Sequence, residues 1–236
     1  MKVTVVIPMH NESAIIRDTA IALSEYMQNN FSDYEIIFSD DGSDDGSVSI
    51  VKELELPNVS IVGYEKNSGK GRAVRNGMLA SSGEIRLFTD ADLAYGVDVI
   101  GRAVKLMEAH TDADMIIGSR NLEEDGYVKY TPIRRFMSKT YVKLLSFVGG
   151  LKHTDSQCGF KAFRGECAQQ IFSQCHIDGF AFDMEVILKA QQQNKKIEEM
   201  AVSVVNHRNS SIRPIRDTLR MLYDLRRIKK MIRKEI

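Results

Sequence analysis

With 236 residues, 43% of them apolar, the chain is long enough for one large domain with a substantial core. Its 32 Lys plus Arg balance its 32 Asp plus Glu, so overall charge points to no polyanionic partner. No apolar run approaches the ~18–20 residues that a spanning helix needs, and three cysteines (Cys158, Cys167, Cys175) in no metal pattern fit a reducing compartment.

The apolar run Val3 to Ile7 predicts a buried strand that starts almost at once, which argues against a signal peptide. Ile15, Ile16, Ala20, Leu23 and Met27 then recur at helical spacing, with Asn11 or Ser13 as N-cap. Glu35 to Phe38 predicts a second strand and Val48 to Leu54 a second helix; Val59 to Val62 is a weaker strand, followed by a helix over Ala73 to Ala80. Further strands are expected at Ile85 to Phe88, Met115 to Ile117 and Ala201 to Val205, with a helix over Met184 to Gln192. Strand and helix in alternation predict an α/β domain, a mainly parallel sheet with helices on both faces. We expect this domain to cover residues 1–206, with a basic helical appendage over 207–236.

Four polar segments sit at the ends of these strands: Pro8-Met9-His10-Asn11-Glu12, Asp40-Asp41-Gly42-Ser43, Asn67-Ser68-Gly69-Lys70-Gly71 and Asp90-Ala91-Asp92. Strand ends in open α/β sheets are where ligands bind. Two carboxylates one residue apart suit a hard divalent cation, since Mg2+ commonly takes one or two carboxylates plus substrate phosphates. The plainer alternative is a turn with solvated aspartates. Residues 40–46 read as a nucleotide site or a plain turn; a calcium loop fails because Lys52 stands where a Glu must close it. Residues 67–72 lack the spacing of a P-loop, so their glycines either shape a turn or bring Lys70 and Arg72 to a pyrophosphate at a helix N-terminus. Arg120, after the strand at 115–117, is either a phosphate contact or an ordinary surface arginine.

Taken together, these segments resemble the family 2 glycosyltransferases of the GT-A fold, and within them the dolichyl- or polyprenyl-phosphate sugar synthases. The resemblance runs over about residues 3–213 and rests on Val5 to Glu12, Glu35 to Gly46, Asn67 to Ala73, Asp90 to Leu93 and Gly118-Ser119-Arg120, with Asp155 to Phe163 and Gly179 to Glu185 narrowing the subgroup. It implies that Pro8, His10 and Glu12 line a base pocket, with Asp40 and Asp41 near base and ribose. It implies Mg2+ or Mn2+ on Asp90 and Asp92, with Ala91 and Lys70 beside the donor and Arg120 on phosphate. Asp183 and Glu185 would face the sugar or acceptor, and Gln157 would read sugar hydroxyls. Arg134 or Arg135, Ser138, and one of Arg208 or Arg213 would hold the acceptor phosphate. The implied donor is UDP-glucose or GDP-mannose, and the implied acceptor is a polyprenyl or dolichyl phosphate.

Two basic stretches bear on that acceptor. Ile133, Phe136, Met137, Tyr141, Leu144, Leu145 and Val148 form an apolar stripe, with Arg134, Arg135, Lys139 and Lys143 off it. Such a helix over 133–148 either lies in a membrane interface or packs on the core. Met221, Leu225, Ile228 and Ile232 repeat the pattern among seven cations, suited to anionic headgroups or to packing on the domain. No interleaved aromatics point to nucleic acid. The expected enzyme is peripheral, at the cytosolic face of a membrane, with room for a separate membrane partner. It moves a hexose with inversion of the anomeric centre. The alternatives are a family 2 enzyme acting on a glycan hydroxyl and a silent nucleotide-sugar-binding or scaffold protein; the intact Asp90/Asp92 pair argues against the second.

Overall fold

A computed structural model describes residues 1–123, 154–206 and 222–231. Among these, seven strands form one sheet in the order β3-β2-β1-β4-β6-β5-β7. The strands are β1 (Val3–Met9), β2 (Tyr34–Asp40), β3 (Val59–Gly63), β4 (Ile85–Phe88), β5 (Met115–Ser119), β6 (Lys161–Arg164) and β7 (Ile197–Ala201). β1, β2, β3 and β4 are parallel, β6 runs antiparallel between β4 and β5, and β7 is parallel to β5.

β1 and β2 are buried along nearly their whole length, as expected of strands covered on both faces. On one face, α1 (Ile16–Asn30), α2 (Ser47–Glu53) and α4 (Asp98–Ala109) pack through residues such as Leu23, Met27, Val51, Ile100 and Met107 onto Val5, Ile7, Ile36 and Leu87. On the other face, α3 (Lys70–Ala80), α5 (Gly165–Phe172) and α6 (Phe182–Gln192) bring Val74, Met78, Phe172, Phe182 and Val186 against Val6, Ile37, Phe88 and Phe163. Residues 222–231 are also helical, and Leu225 and Ile228 are buried in this second cluster. Two positions of the C-terminal apolar stripe therefore pack on the domain, while Arg226, Arg227 and Lys230 stay exposed.

Three local expectations differ from the structure. Neither Asn11 nor Ser13 caps α1, whose N-cap position is Ile15 with no side-chain cap bond. The neighbouring loop claims both residues: the Ser13 amide donates to Asp45 Oδ2 at 2.8 Å, and Asn11 Oδ1 accepts from the Asp44 amide at 3.0 Å. The last strand is Ile197–Ala201 rather than 201–205, because pairing with β5 sets its register from Met115↔Ile197 to Ser119↔Ala201. Val202 and Val204 are buried beyond it, which carries the apolar alternation past the end of the ladder. The short β6, Lys-Ala-Phe-Arg, is unanticipated because its charged ends mask a buried central strand.

Candidate active site

Parallel pairing brings the C-terminal ends of the strands level. Met9 pairs with Asp40, Asp40 with Gly63 and Val6 with Phe88. The polar segments after β1, β2 and β4 thus meet along one edge, and the N-terminus of α3 joins them.

On the β1–β2 side, the carboxylates build the loops. Asp40 accepts from the Gly42 amide at 3.2 Å and the Ser43 hydroxyl at 2.6 Å. Asp41 accepts from the Tyr64 hydroxyl at 2.7 Å and from the Ser68 and Gly69 amides at 2.7 and 2.8 Å, tying β2 to the 67–71 turn. Both aspartates are buried. Pro8 is buried in β1, Glu12 is half-buried and His10 is exposed at the rim. Arg72 lies 4.3 Å from the Tyr64 ring centroid and donates to the Ser68 hydroxyl at 2.9 Å.

The turn glycines serve packing. A Cβ on Gly71 would stand 2.5 Å from the Ile177 carbonyl oxygen and 2.6 Å from Phe182 Cβ, so only glycine lets α3 start against the entry to α6. The Gly71 amide donates to the Asp178 carbonyl at 2.8 Å, and the Gly69 amide already serves Asp41. These two amides are committed to the chain itself rather than to a ligand.

Asp90 and Asp92 follow β4 in a tight turn. Leu93 takes the left-handed conformation at φ 46, costly for a branched side chain and of a kind that clusters at functional sites. The turn is held by the Ala94 amide donating to Asp92 Oδ1 at 3.1 Å, and by the Asn206 side chain donating to the Leu93 carbonyl at 3.1 Å. Ala91 is buried and its carbonyl accepts from the Thr19 hydroxyl at 2.6 Å. Lys70 forms an ion pair with Asp90, the two side chains 26% and 30% exposed. Burial and then the charge of Asp90 push the Asp92 carboxyl above its ordinary range. Burial works against the Lys70 ammonium, but Asp90, Asp183 and Asp92 outweigh it and raise its pKa.

The segment 154–161 forms the floor. Asp155 is fully buried and takes the Arg120 fork, Nε to Oδ2 at 2.6 Å and a terminal nitrogen to Oδ1 at 2.9 Å. Gln157 is half-buried on the same turn. Lys161, fully buried at the start of β6, pairs with Asp183 and donates to the Cys158 carbonyl at 2.8 Å. Burial raises the Asp183 carboxyl, with Lys161 and Lys70 pulling the other way. Asp183 therefore lies in one charged cluster with Lys70, Asp90 and Asp92. Glu185 does not join it: fully buried, it accepts from the His176 amide at 2.9 Å and the Ile177 amide at 2.8 Å. Neither Lys161 nor Asp155 is expected in these roles from sequence; the signal for Lys161 is a lone lysine inside the apolar stretch Gly159-Phe-Lys-Ala-Phe163. Arg134, Arg135, Ser138, Arg208, Arg213 and the 133–148 helix lie outside the described residues.

No group of three or more His, Cys, Asp or Glu poised for a metal occurs among the described residues. The pair Asp90/Asp92 nevertheless fits a hard cation. Both are partly exposed oxygen donors, and two carboxylates against the single ammonium of Lys70 leave negative charge for a cation to offset.

The chain matches the family model for glycosyl transferase family 2 over residues 4–172. It is 32% identical over 233 residues to dolichyl-phosphate beta-glucosyltransferase ALG5C of Trichomonas vaginalis, covering 94% of this chain and 69% of that protein. The dolichyl-phosphate beta-glucosyltransferase of Dictyostelium discoideum is 32% identical over 242 residues (96% and 73% covered), and that of Saccharomyces cerevisiae 31% over 241 (94% and 72%). Among solved structures, glucosyl-3-phosphoglycerate synthase from Mycobacterium tuberculosis, in complex with Mn2+, UDP and glucosyl-3-phosphoglycerate, superposes with a TM-score of 0.71 at 18% identity, covering 95% of this chain and 78% of that one. Mannosyl-3-phosphoglycerate synthase from Rubrobacter xylanophilus does so with a TM-score of 0.71 at 18% identity, covering 100% and 75%. At that identity the likeness is one of fold, and the fold is GT-A.

Proposed function

Because the chain belongs to glycosyltransferase family 2, we propose that this glycosyltransferase moves glucose from UDP-glucose to a dolichyl or other polyprenyl phosphate, inverting the anomeric centre. The observation that carries the reading is the paired Asp90 and Asp92 at the end of β4, sharing one cluster with Lys70 and Asp183. Relatives named for glucose transfer favour UDP-glucose over GDP-mannose.

Asp90 and Asp92 would hold Mg2+ or Mn2+, which when bound supplies charge to the nucleoside diphosphate leaving group. The loops built by Asp40 and Asp41, with Pro8, His10 and Glu12, would seat base and ribose. Arg120, through Asp155, would position the 155–159 turn and with it Gln157 near the sugar. A phosphate acceptor is anionic at neutral pH, so it needs positioning rather than a general base. Arg134 or Arg135, Ser138, and one of Arg208 or Arg213 remain the proposed acceptor-phosphate ligands. Direct attack on an α-linked donor gives a β-linked product.

A lipid acceptor puts the enzyme at a membrane surface. Among the described residues no helix is long and apolar enough to cross a membrane. The exposed Arg226, Arg227 and Lys230 suit anionic headgroups, at about 1 kcal/mol per cation near the surface. We place the protein on the cytosolic face, in keeping with three buried, unpaired cysteines.

A donor screen tests the reading: purified protein, Mn2+ or Mg2+, a short polyprenyl phosphate, and UDP-glucose, GDP-mannose, UDP-galactose or UDP-N-acetylglucosamine. Metal- and lipid-dependent release of UDP from UDP-glucose alone is the expected result. Release indifferent to the lipid phosphate would overturn the acceptor assignment.

A further inference from the structure

The side chain of Lys70 occupies one of the two carboxylates assigned to the metal. Its backbone has no freedom to withdraw: the Gly69 amide is held by Asp41 and the Gly71 amide by the Asp178 carbonyl. The ammonium, however, rides on a flexible four-carbon stem and is 26% exposed, so it can exchange partners. Four neighbouring cations are engaged elsewhere. Arg72 lies over Tyr64, Arg75 pairs with Asp178 at 2.7 Å, Arg120 with Asp155 at 2.6 Å, and Lys161 is buried against Asp183.

We propose that Lys70 is a resident counter-ion that keeps Asp90 from a divalent cation until a nucleoside diphosphate arrives to receive the displaced ammonium. The proposal rests on the reading of Asp90 and Asp92 as the metal pair and extends it to the order of binding. Lys161 pairs with Asp183, while Lys70 pairs with Asp90 and also acts on Asp92. A divalent ion answers both carboxylates but needs the oxygen that Lys70 holds. Without donor, its entry costs Lys70 its ion pair with Asp90 in a partly buried position. With donor, the ammonium passes to a phosphate oxygen, and cation and diphosphate are taken up together. Thermodynamic linkage then requires each to strengthen the other's binding.

The test measures Mn2+ binding by electron paramagnetic resonance of the free ion, on the full chain, with and without UDP. Lys70→Met keeps much of the side-chain length and removes the charge. It is expected to bind Mn2+ alone about tenfold tighter than wild type, a modest coupling of ~1.4 kcal/mol. The gain conferred by UDP should shrink by a similar factor, while Lys70→Arg, still cationic, should bind Mn2+ alone as weakly as wild type. Lys70→Gln makes the same comparison should the Met variant fail to fold, and wild type in which UDP adds nothing to Mn2+ affinity overturns the proposal without any variant. If wild type binds Mn2+ with UDP but the neutral variants bind Mn2+ alone no tighter than it does, the counter-ion role falls and the metal reading stands. If wild type takes up no Mn2+ even with UDP, both fall.

Discussion

Gly159 lies directly beneath the Asp90 carboxylate: a Cβ at 159 would stand 2.1 Å from Asp90 Oδ2. The floor of the site is thus shaped around the residue that meets Lys70. The clash is with the tip of a short side chain, so it is relieved by rotating Asp90 away rather than by moving backbone. Gly159→Ala should therefore cost little stability, since a partly exposed ion pair is worth about 0–1 kcal/mol, a shift of no more than ~2–4 °C in melting temperature. Transferase activity should fall by at least about tenfold, because a small misplacement of a reacting constellation is expensive. Melting curves and initial rates on the same preparation check both halves.

Lys161 and Asp183 form a buried pair, and removing one member strands the other. Lys161→Met should destabilise the protein by about 3–5 kcal/mol in urea unfolding. Replacing both, as Lys161→Met with Asp183→Leu, should recover most of that loss, because an apolar pair of similar volume needs no compensation. The double variant should still lack activity, since Asp183 belongs to the charged cluster with Lys70. A double variant as unstable as the single one would mean that Lys161 contributes through its ammonium over the Phe88 ring, 5.5 Å from the centroid, rather than through its pairing with Asp183.

Asp45 supplies a pH signature. Slight burial opposes its charge, but hydrogen bonds from the Ser47 hydroxyl and from Ser13 outweigh this and hold its carboxyl well below the usual range. A depressed pKa means that the unfolded state binds protons first as pH falls. The stabilisation is complete above the ordinary value of 3.8 and is lost as pH drops toward the folded value. Asp45→Asn should therefore be less stable than wild type at pH 7, with the difference shrinking below about pH 4. Urea midpoints for both proteins across that range would show it, and a difference independent of pH would count against it.

The parallel half of the fold was legible because β1, β2 and β4 are largely apolar runs followed by polar segments that carry carboxylates. β6 was not, since Lys161 and Arg164 bracket two apolar residues and its antiparallel seat between β4 and β5 is set by partners distant in sequence. In the site, Asp90, Asp92, Lys70 and Asp183 all stand in motifs visible in the sequence, and they lie in one charged cluster. Glu185 shows the limit of spacing: two residues on from Asp183, it turns away to hold the 176–177 backbone. Asp155 was noted only as part of a motif, and the Arg120 fork that gives it a role is visible only in three dimensions.

That fork yields a final prediction. Arg120 was expected on phosphate, but its Nε and one terminal nitrogen are spent on Asp155, and 9% of the residue is exposed. Lysine in its place keeps the charge and loses the bidentate geometry. Arg120→Lys should cost about 1.5–3 kcal/mol of stability, the range for hydrogen bonds to charged groups. UDP affinity should change by less than about threefold, since a loss of two-point contact is felt at the 155–159 turn and not at the diphosphate. Calorimetric melting and UDP titration separate the two roles. An unchanged melting temperature with strongly weakened UDP binding would mean that the guanidinium leaves Asp155 to meet the donor.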